Sequence, residues 1–218
     1  SIKYFYSACS AYAYIGHQDF MKIVHRSGSN VIHKPFDLMK CLNDIGYHQM
    51  EKRTAKTLEY QFGRQRDRWS EYRGVQIPKI TPSTHNNGSE ITDLILISAV
   101  QLGLDIDYLC YVFMQNHWIN NLDLSNETAV NDVLNAQGLD AKLLIKKAYS
   151  HETRDVYSSN TDEAIELSVF GSPTYVVNGD MFYGQDNLPL VERAIQEPFK
   201  LIKHHVLLVW MKRRQHKQ

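Results

Sequence analysis

Residues Ile2-Lys3-Tyr4-Phe5-Tyr6 are β-branched or aromatic with one exception, and the small residues Ser7, Ala8, Cys9, Ser10 and Ala11 follow them. This pattern predicts a buried strand that runs into a tight turn. Apolar positions at Tyr12, Ile15, Phe20, Ile23 and Val24 then recur at helical spacing up to about Arg26, and Ser27-Gly28-Ser29-Asn30 supplies the stop. Val31-Ile32-His33-Lys34-Pro35-Phe36 predicts a second strand, so the chain opens as a βαβ unit. From about residue 37 to 160 the period becomes helical, with helices predicted over 52–72, 90–103, 106–116, 127–136 and 141–158 and no strand pattern. Pro78, Pro82 and Thr84-His85-Asn86-Asn87-Gly88 mark a loop between two of them.

The strand pattern returns near the end. Asn160-Thr161-Asp162-Glu163 offers caps for a helix through about Leu167. Thr174-Tyr175-Val176-Val177 and Asp180-Met181-Phe182-Tyr183 flank Asn178-Gly179, a type I′ hairpin signal. Asp186 or Asn187 can cap a last helix over 188–196, with Pro189 where a missing N–H is tolerated. The predicted order is βαβ, helical insertion, αββα: an α/β domain made of residues 1–36 and 160–198, a helical insertion of residues 37–159, and a basic C-terminal tail, 199–218.

Composition narrows the function. The 218 residues are 43% hydrophobic, enough for a real core, and 24 basic residues balance 24 acidic ones, so no overall field draws the chain to nucleic acid or an anionic membrane. Cys9, Cys41 and Cys110 lack C-x-x-C spacing, which argues against a disulfide framework and for a reducing cytoplasm. The N-terminus shows no secretory pattern, and the late apolar run 206–211 falls far short of the roughly 20 residues that span a bilayer. The ten histidines include no H-E-x-x-H spacing, so no metal is expected, and no G-x-G-x-x-G or Walker-type loop points to a nucleotide.

Pro173 stands immediately before a strand, at its entrance, because it cannot donate to a central ladder. The element order and this proline together resemble the thioredoxin superfamily, in which the proline is cis and the residue before it offers backbone groups to a thiol peptide as an added strand. Two stretches sharpen the match. Phe5-Tyr6-Ser7-Ala8-Cys9-Ser10-Ala11-Tyr12-Ala13-Tyr14 is similar to Phe-Tyr-Asp-x-x-Ser-Pro-Tyr-Ala-Tyr. Val169-Phe170-Gly171-Ser172-Pro173-Thr174-Tyr175, with Phe182-Tyr183-Gly184-Gln185-Asp186-Asn187-Leu188, is similar to Val-Phe-Gly-x-Pro-Thr-Phe and Phe-Trp-Gly-x-Asp-Arg-Leu. Both motifs are those of the 2-hydroxychromene-2-carboxylate isomerase and kappa-class glutathione transferase family, within the DsbA-like part of the superfamily.

The resemblance implies a thioredoxin-like fold with a large all-helical insertion and glutathione as cofactor. It places Ser10 opposite the glutathione sulfur as the catalytic residue. A hydroxyl donor and the positive end of a helix dipole both favour a thiolate. Ser10 also reads as a plain helix cap, and the two roles are compatible. Ser172 and Pro173 are implied to hold the cysteinyl part, Gln185 and Asp186 at a helix N-terminus the γ-glutamyl part, and Lys52 and Arg53 the glycyl carboxylate. The implied activity is isomerisation of an aromatic, unsaturated 2-oxo acid; the rivals are a kappa-like transferase or peroxidase and a non-catalytic glutathione-binding module. Its partner is a small aromatic substrate, and a homodimer is the default oligomer. Two positions depart from the family: Ala11 replaces a proline and Ser7 an aspartate. Cys9 reads as a small buried residue, and Tyr12 stands where a resolving cysteine would be needed.

Overall fold

The computed structural model describes residues 1–47 and 52–200; residues 201–218, the greater part of the expected basic tail, lie outside the described residues. Four strands, β1 Ile2–Tyr6, β2 Val31–Pro35, β3 Thr174–Val177 and β4 Asp180–Tyr183, form one sheet in the order β2-β1-β3-β4. β1 pairs parallel with β2 and antiparallel with β3, and β4 returns antiparallel on β3. The hairpin turn has positive φ at Asn178 (51°) and Gly179 (84°), the backbone that Asn-Gly adopts most readily.

Side chains alternate across β1, so the sheet is buried on both faces. Ile2, Tyr4 and Tyr6 join Tyr175 and Val177 in the larger core against α1 Ala11–Ser27. Tyr4 stacks on Tyr175 with ring centroids 5.4 Å apart, and Phe20 of α1 closes the cluster at 4.7 Å from Tyr175. Phe5 and Val176 face the other way, onto Phe36, Cys41, Ala164 and Val169. That second face is covered by α2 Leu38–Asp44, which the sequence reading leaves unassigned, and by the end of the later helix His151–Glu166.

The described part of residues 37–159 is helical, without a strand. After α2 come α3 Ala55–Glu59, a π turn Tyr60–Arg64 and α4 Gln65–Arg73, then α5 Glu90–Gln101, α6 Asp107–Asn120, α7 Glu127–Ala136, α8 Ala141–Ala148 and α9 His151–Glu166; α10 Leu188–Gln196 follows the hairpin. The helix expected over 141–158 is two helices. Ser150 takes the extended conformation of a cap and its side chain accepts from Thr153 N, which starts α9 there. Nor does a helix begin at Asn160, because α9 runs through it. Asn160 Nδ2 instead donates to Pro35 O (3.0 Å), and Thr161 Oγ1 accepts from Asp37 N (3.0 Å), pinning α9 to the end of β2. At α10 Asn187 sits at the cap position, but its side chain donates to Tyr183 O rather than capping.

No helix among the described residues is long and apolar enough to cross a membrane, and no group of three or more His, Cys, Asp or Glu among them has the arrangement of a metal site.

Candidate active site

β1 ends at Tyr6 and α1 starts at Ala11, so four residues turn the chain from the sheet into the helix. Ser10 caps α1: its Oγ accepts from Ala13 N at 3.2 Å. The same hydroxyl donates to the carbonyl of Ser172 at 2.9 Å, and the Ser172 side chain accepts from Ser7 N at 3.0 Å. The Ser172–Pro173 peptide bond is cis. Ser10, Ser172 and Pro173 therefore come together although 162 positions separate the first two in sequence. The helix brings its N-terminal partial positive charge to this point.

Beneath the turn lies a chain of polar groups that the sequence did not disclose. Ser7 Oγ is 3.2 Å from Cys9 Sγ and 3.1 Å from Ser89 Oγ, and Ser89 donates to Asp93 Oδ2 at 2.9 Å. Asp93 is 1% exposed, and its second oxygen Oδ1 has no hydrogen-bond partner among the described residues. Burial pushes this carboxyl well above the usual carboxylate range, against the opposing bond from Ser89. Ser7, where the family's motif has an aspartate, is thus linked through Ser89 to a buried carboxyl on α5. Burial also raises the Cys9 thiol, and the bond to Ser7 only partly offsets this. All three cysteines are unbridged.

The other expected ligands fall at two further places. Gln185 is 1% exposed in a short 3-10 turn ahead of α10, packed against Gly16 of α1, where a Cβ would collide with its side chain. Arg73 fixes it: Nε donates to Gln185 Oε1, Nη2 to Gln185 O (2.6 Å) and Nη1 to Asp19 Oδ2 (2.7 Å). Arg73 thus anchors Gln185 in the turn, and the exposed group beside it is Asp186. Asp186 acts on the rim of the site. Burial pushes the Tyr12 hydroxyl up to about 12, with Tyr183 adding, Arg66 opposing and Asp186 adding to the shift. Tyr183 is raised by burial, then by Tyr47 and Asp186, and lowered by Arg53. Arg53 thus reaches the same rim, donating to Gln61 Oε1 at 2.8 Å, whereas Lys52 is exposed ahead of α3. The Tyr12 hydroxyl donates to Gln61 O, a carbonyl in the π turn, where the wider helical ring displaces the backbone ladder.

Trp118 closes the remaining side. Its Nε1 donates to Cys9 O at 3.2 Å, and its ring lies under the Arg66 guanidinium at 5.5 Å. His85 packs against Trp118 and stacks on His117, with His85 Nδ1 and His117 Nε2 3.0 Å apart. His117 Nδ1 is 2.8 Å from Leu122 O, which fixes it as the donor there and leaves Nε2 to accept from His85. Burial holds His85 down, to about 4, helped by His117 and Arg66.

A helix N-terminus facing the residue before a cis-proline strand, on a β2-β1-β3-β4 sheet, defines a thioredoxin-type protein with a helical insertion. The DSBA-like thioredoxin domain matches residues 1–196, and the chain belongs to that family. It is similar to two proteins named 2-hydroxychromene-2-carboxylate isomerase. The one from Pseudomonas putida is 22% identical over 196 residues, covering 89% of this chain and 93% of the relative. The one from Pseudomonas sp. (strain C18) is 23% identical over 195 residues, covering 89% of each. A solved 2-hydroxychromene-2-carboxylate isomerase structure shares the fold with a TM-score of 0.72 at 22% identity, over 89% of this chain and 94% of that one.

Proposed function

We propose that the protein is a glutathione-dependent isomerase of the 2-hydroxychromene-2-carboxylate isomerase type, acting on an aromatic, unsaturated 2-oxo acid. The observation that carries this reading is the Ser10 hydroxyl at the head of α1, 2.9 Å from the carbonyl that precedes Pro173.

The donor set fits glutathione. The Ser172 backbone suits the cysteinyl peptide, Asp186 at the start of the last helix suits the α-ammonium, and Arg53 at the rim, with the exposed Lys52 next to it in sequence, suits the glycyl carboxylate. Bound there, glutathione supplies a nucleophilic thiolate, able to add reversibly to a conjugated carbon and so free a double bond for rotation. The protein's share is positioning and charge stabilisation. Ser10 spends its only proton on Ser172 O. Ser172 O would be the acceptor for the cysteinyl N–H, and the Ser10 hydroxyl, once freed from it, would be the donor that holds the thiolate, so that one hydroxyl would couple docking to thiolate stabilisation.

The test is to titrate the glutathione-thiolate absorbance against pH in the wild type and in Ser10→Ala, alongside turnover of a 2-hydroxychromene-2-carboxylate. A hydrogen bond to a charged group contributes about 1.5–3 kcal/mol, so the bound thiol should rise by about one to two pH units in the variant and turnover should fall roughly 10- to 100-fold. Glutathione affinity should fall much less. An unchanged thiol titration and rate would remove Ser10 from the mechanism; accumulation of a stable conjugate with consumption of glutathione would make the protein a transferase.

A further inference from the structure

The protein buries two arginines beside the site and treats them differently. Arg73 meets the carboxylate of Asp19 at 2.7 Å. Arg66 is 3% exposed and has no carboxylate partner among the described residues. Its Nη2 donates to Lys79 O at 2.8 Å, and its Nε is buried with no partner among the described residues. A guanidinium carries five donors and stays charged under all ordinary conditions, so it cannot escape burial by losing its proton. Its neighbours do not neutralise it: the indole of Trp118 offers only its face, and burial keeps the His85 ring from taking up a charge, which would in any case be positive. Among the described residues this buried cation meets one carbonyl and one aromatic face and no counter-ion.

Its position indicates what the counter-ion is. Arg66 lies over Trp118, whose Nε1 is tied to Cys9 O, the residue before Ser10. It also acts on the Tyr12 hydroxyl, two residues after Ser10. The surroundings are aromatic: Trp118, Tyr12 and the His85 ring. We infer that Arg66 is the receptor for the carboxylate of the second substrate, an aromatic acid placed beside Trp118 and the Cys9–Tyr12 turn. This rests on the isomerase reading for the order of events, and it adds the group that selects acids over neutral aromatics. Planar fork geometry suits a carboxylate, and the shielded setting strengthens the pair.

Calorimetric titration of the full chain with cinnamate and with its neutral isostere cinnamamide tests the assignment, with and without glutathione. The wild type should bind the acid at least about tenfold more tightly than the amide, the usual weight of a charge-assisted contact. Arg66→Gln keeps a donor for Lys79 O but removes the charge; it should bring the two ligands to equal affinity while amide binding stays within about twofold. Arg66→Lys should restore part of the preference. If Arg66 merely clamps the loop, both variants will melt earlier and keep the wild-type acid-to-amide ratio, which overturns the proposal; so does a wild type that binds both ligands equally. Should Arg66→Gln fail to fold, the ratio in Arg66→Lys decides, since loss of the fork must reduce it at least about threefold and an unchanged ratio refutes the assignment. Acid preference in a protein that ignores glutathione would sink the isomerase reading and leave the Arg66 receptor standing; glutathione binding without acid preference would do the reverse.

Discussion

At the residue scale, Ser10 and Cys9 are adjacent and behave oppositely. Ser10 holds a free helix end on one side and a strand-entry carbonyl on the other, whereas the Cys9 thiol is raised by burial and satisfied by Ser7. A thiol reacts through its thiolate, so Cys9 should label slowly with a thiol reagent at neutral pH, and Cys9→Ser should keep activity within about twofold. Fast labelling accompanied by loss of activity would assign the chemistry to Cys9. The meeting of Ser10 with Ser172 and Pro173 was legible in the sequence because each lies in a short motif and the βαβ, insertion, αββα order says where those motifs fall on one sheet. Asp93, Ser89, Arg66 and Trp118 were not legible, because their roles come from packing of α4, α5 and α6 onto the turn, and a charged or hydroxyl residue in a helical pattern reads as a solvated face. Gln185 was read as a ligand on its motif; its bonds from Arg73, which also anchor the turn, come from α4 and carry no local signature.

At the element scale, α1 and the turn before α10 meet at Gly16. Glycine in a helix interior costs up to about 1 kcal/mol relative to alanine, so its presence needs a reason, and the collision that a Cβ would make with Gln185 is that reason. Gln185 cannot retreat, since Arg73 holds both its side chain and its carbonyl. Gly16→Ala should therefore destabilise despite its better helix propensity, by about 1–3 kcal/mol, and, on the proposed function, should weaken glutathione binding through Asp186. Urea melts with an unchanged slope and a lower midpoint would show this; a more stable variant would mean that the two elements slide apart freely. The sequence located these helices because their apolar period is long and regular, but it ran two of them together at residues 149–150. There the break depends on one serine turning into a cap, and Tyr149 and Ser150 interrupt no apolar stripe.

At the scale of the whole molecule, buried titratable groups set limits on stability from both sides. His85 is held neutral in the fold with its titration lowered from about 6.5 to about 4, so its contribution is complete above the unfolded value and is lost as pH falls through that window. Partial exposure of the ring keeps the loss on the order of 1–2 kcal/mol. Asp93 has the opposite sign: its folded value is raised, so the stability it allows is present at or below about pH 4 and declines as pH rises and the unfolded chain ionises. Urea melts across pH 4–9 should show Asp93→Asn gaining on the wild type as pH increases, and His85→Asn losing the acid-side decline. Parallel curves for wild type and variants would mean that neither group is buried as described.

The strand order has a consequence in time. β1 takes one neighbour from 25 residues downstream and the other from beyond residue 173, with nine α-helices among the described residues lying between Tyr6 and Thr174. The parallel half can form early, but its open side must wait. At ribosomal rates of about 5–20 residues per second, the 162 positions between Ser10 and Ser172 correspond to roughly 10–30 seconds of synthesis. During that interval the aromatic β1 presents an unpaired edge of the kind that invites aggregation. The arrival of the proline-led strand closes that edge and brings Ser172 to Ser10, and β4 and α10 then finish the sheet and its cover.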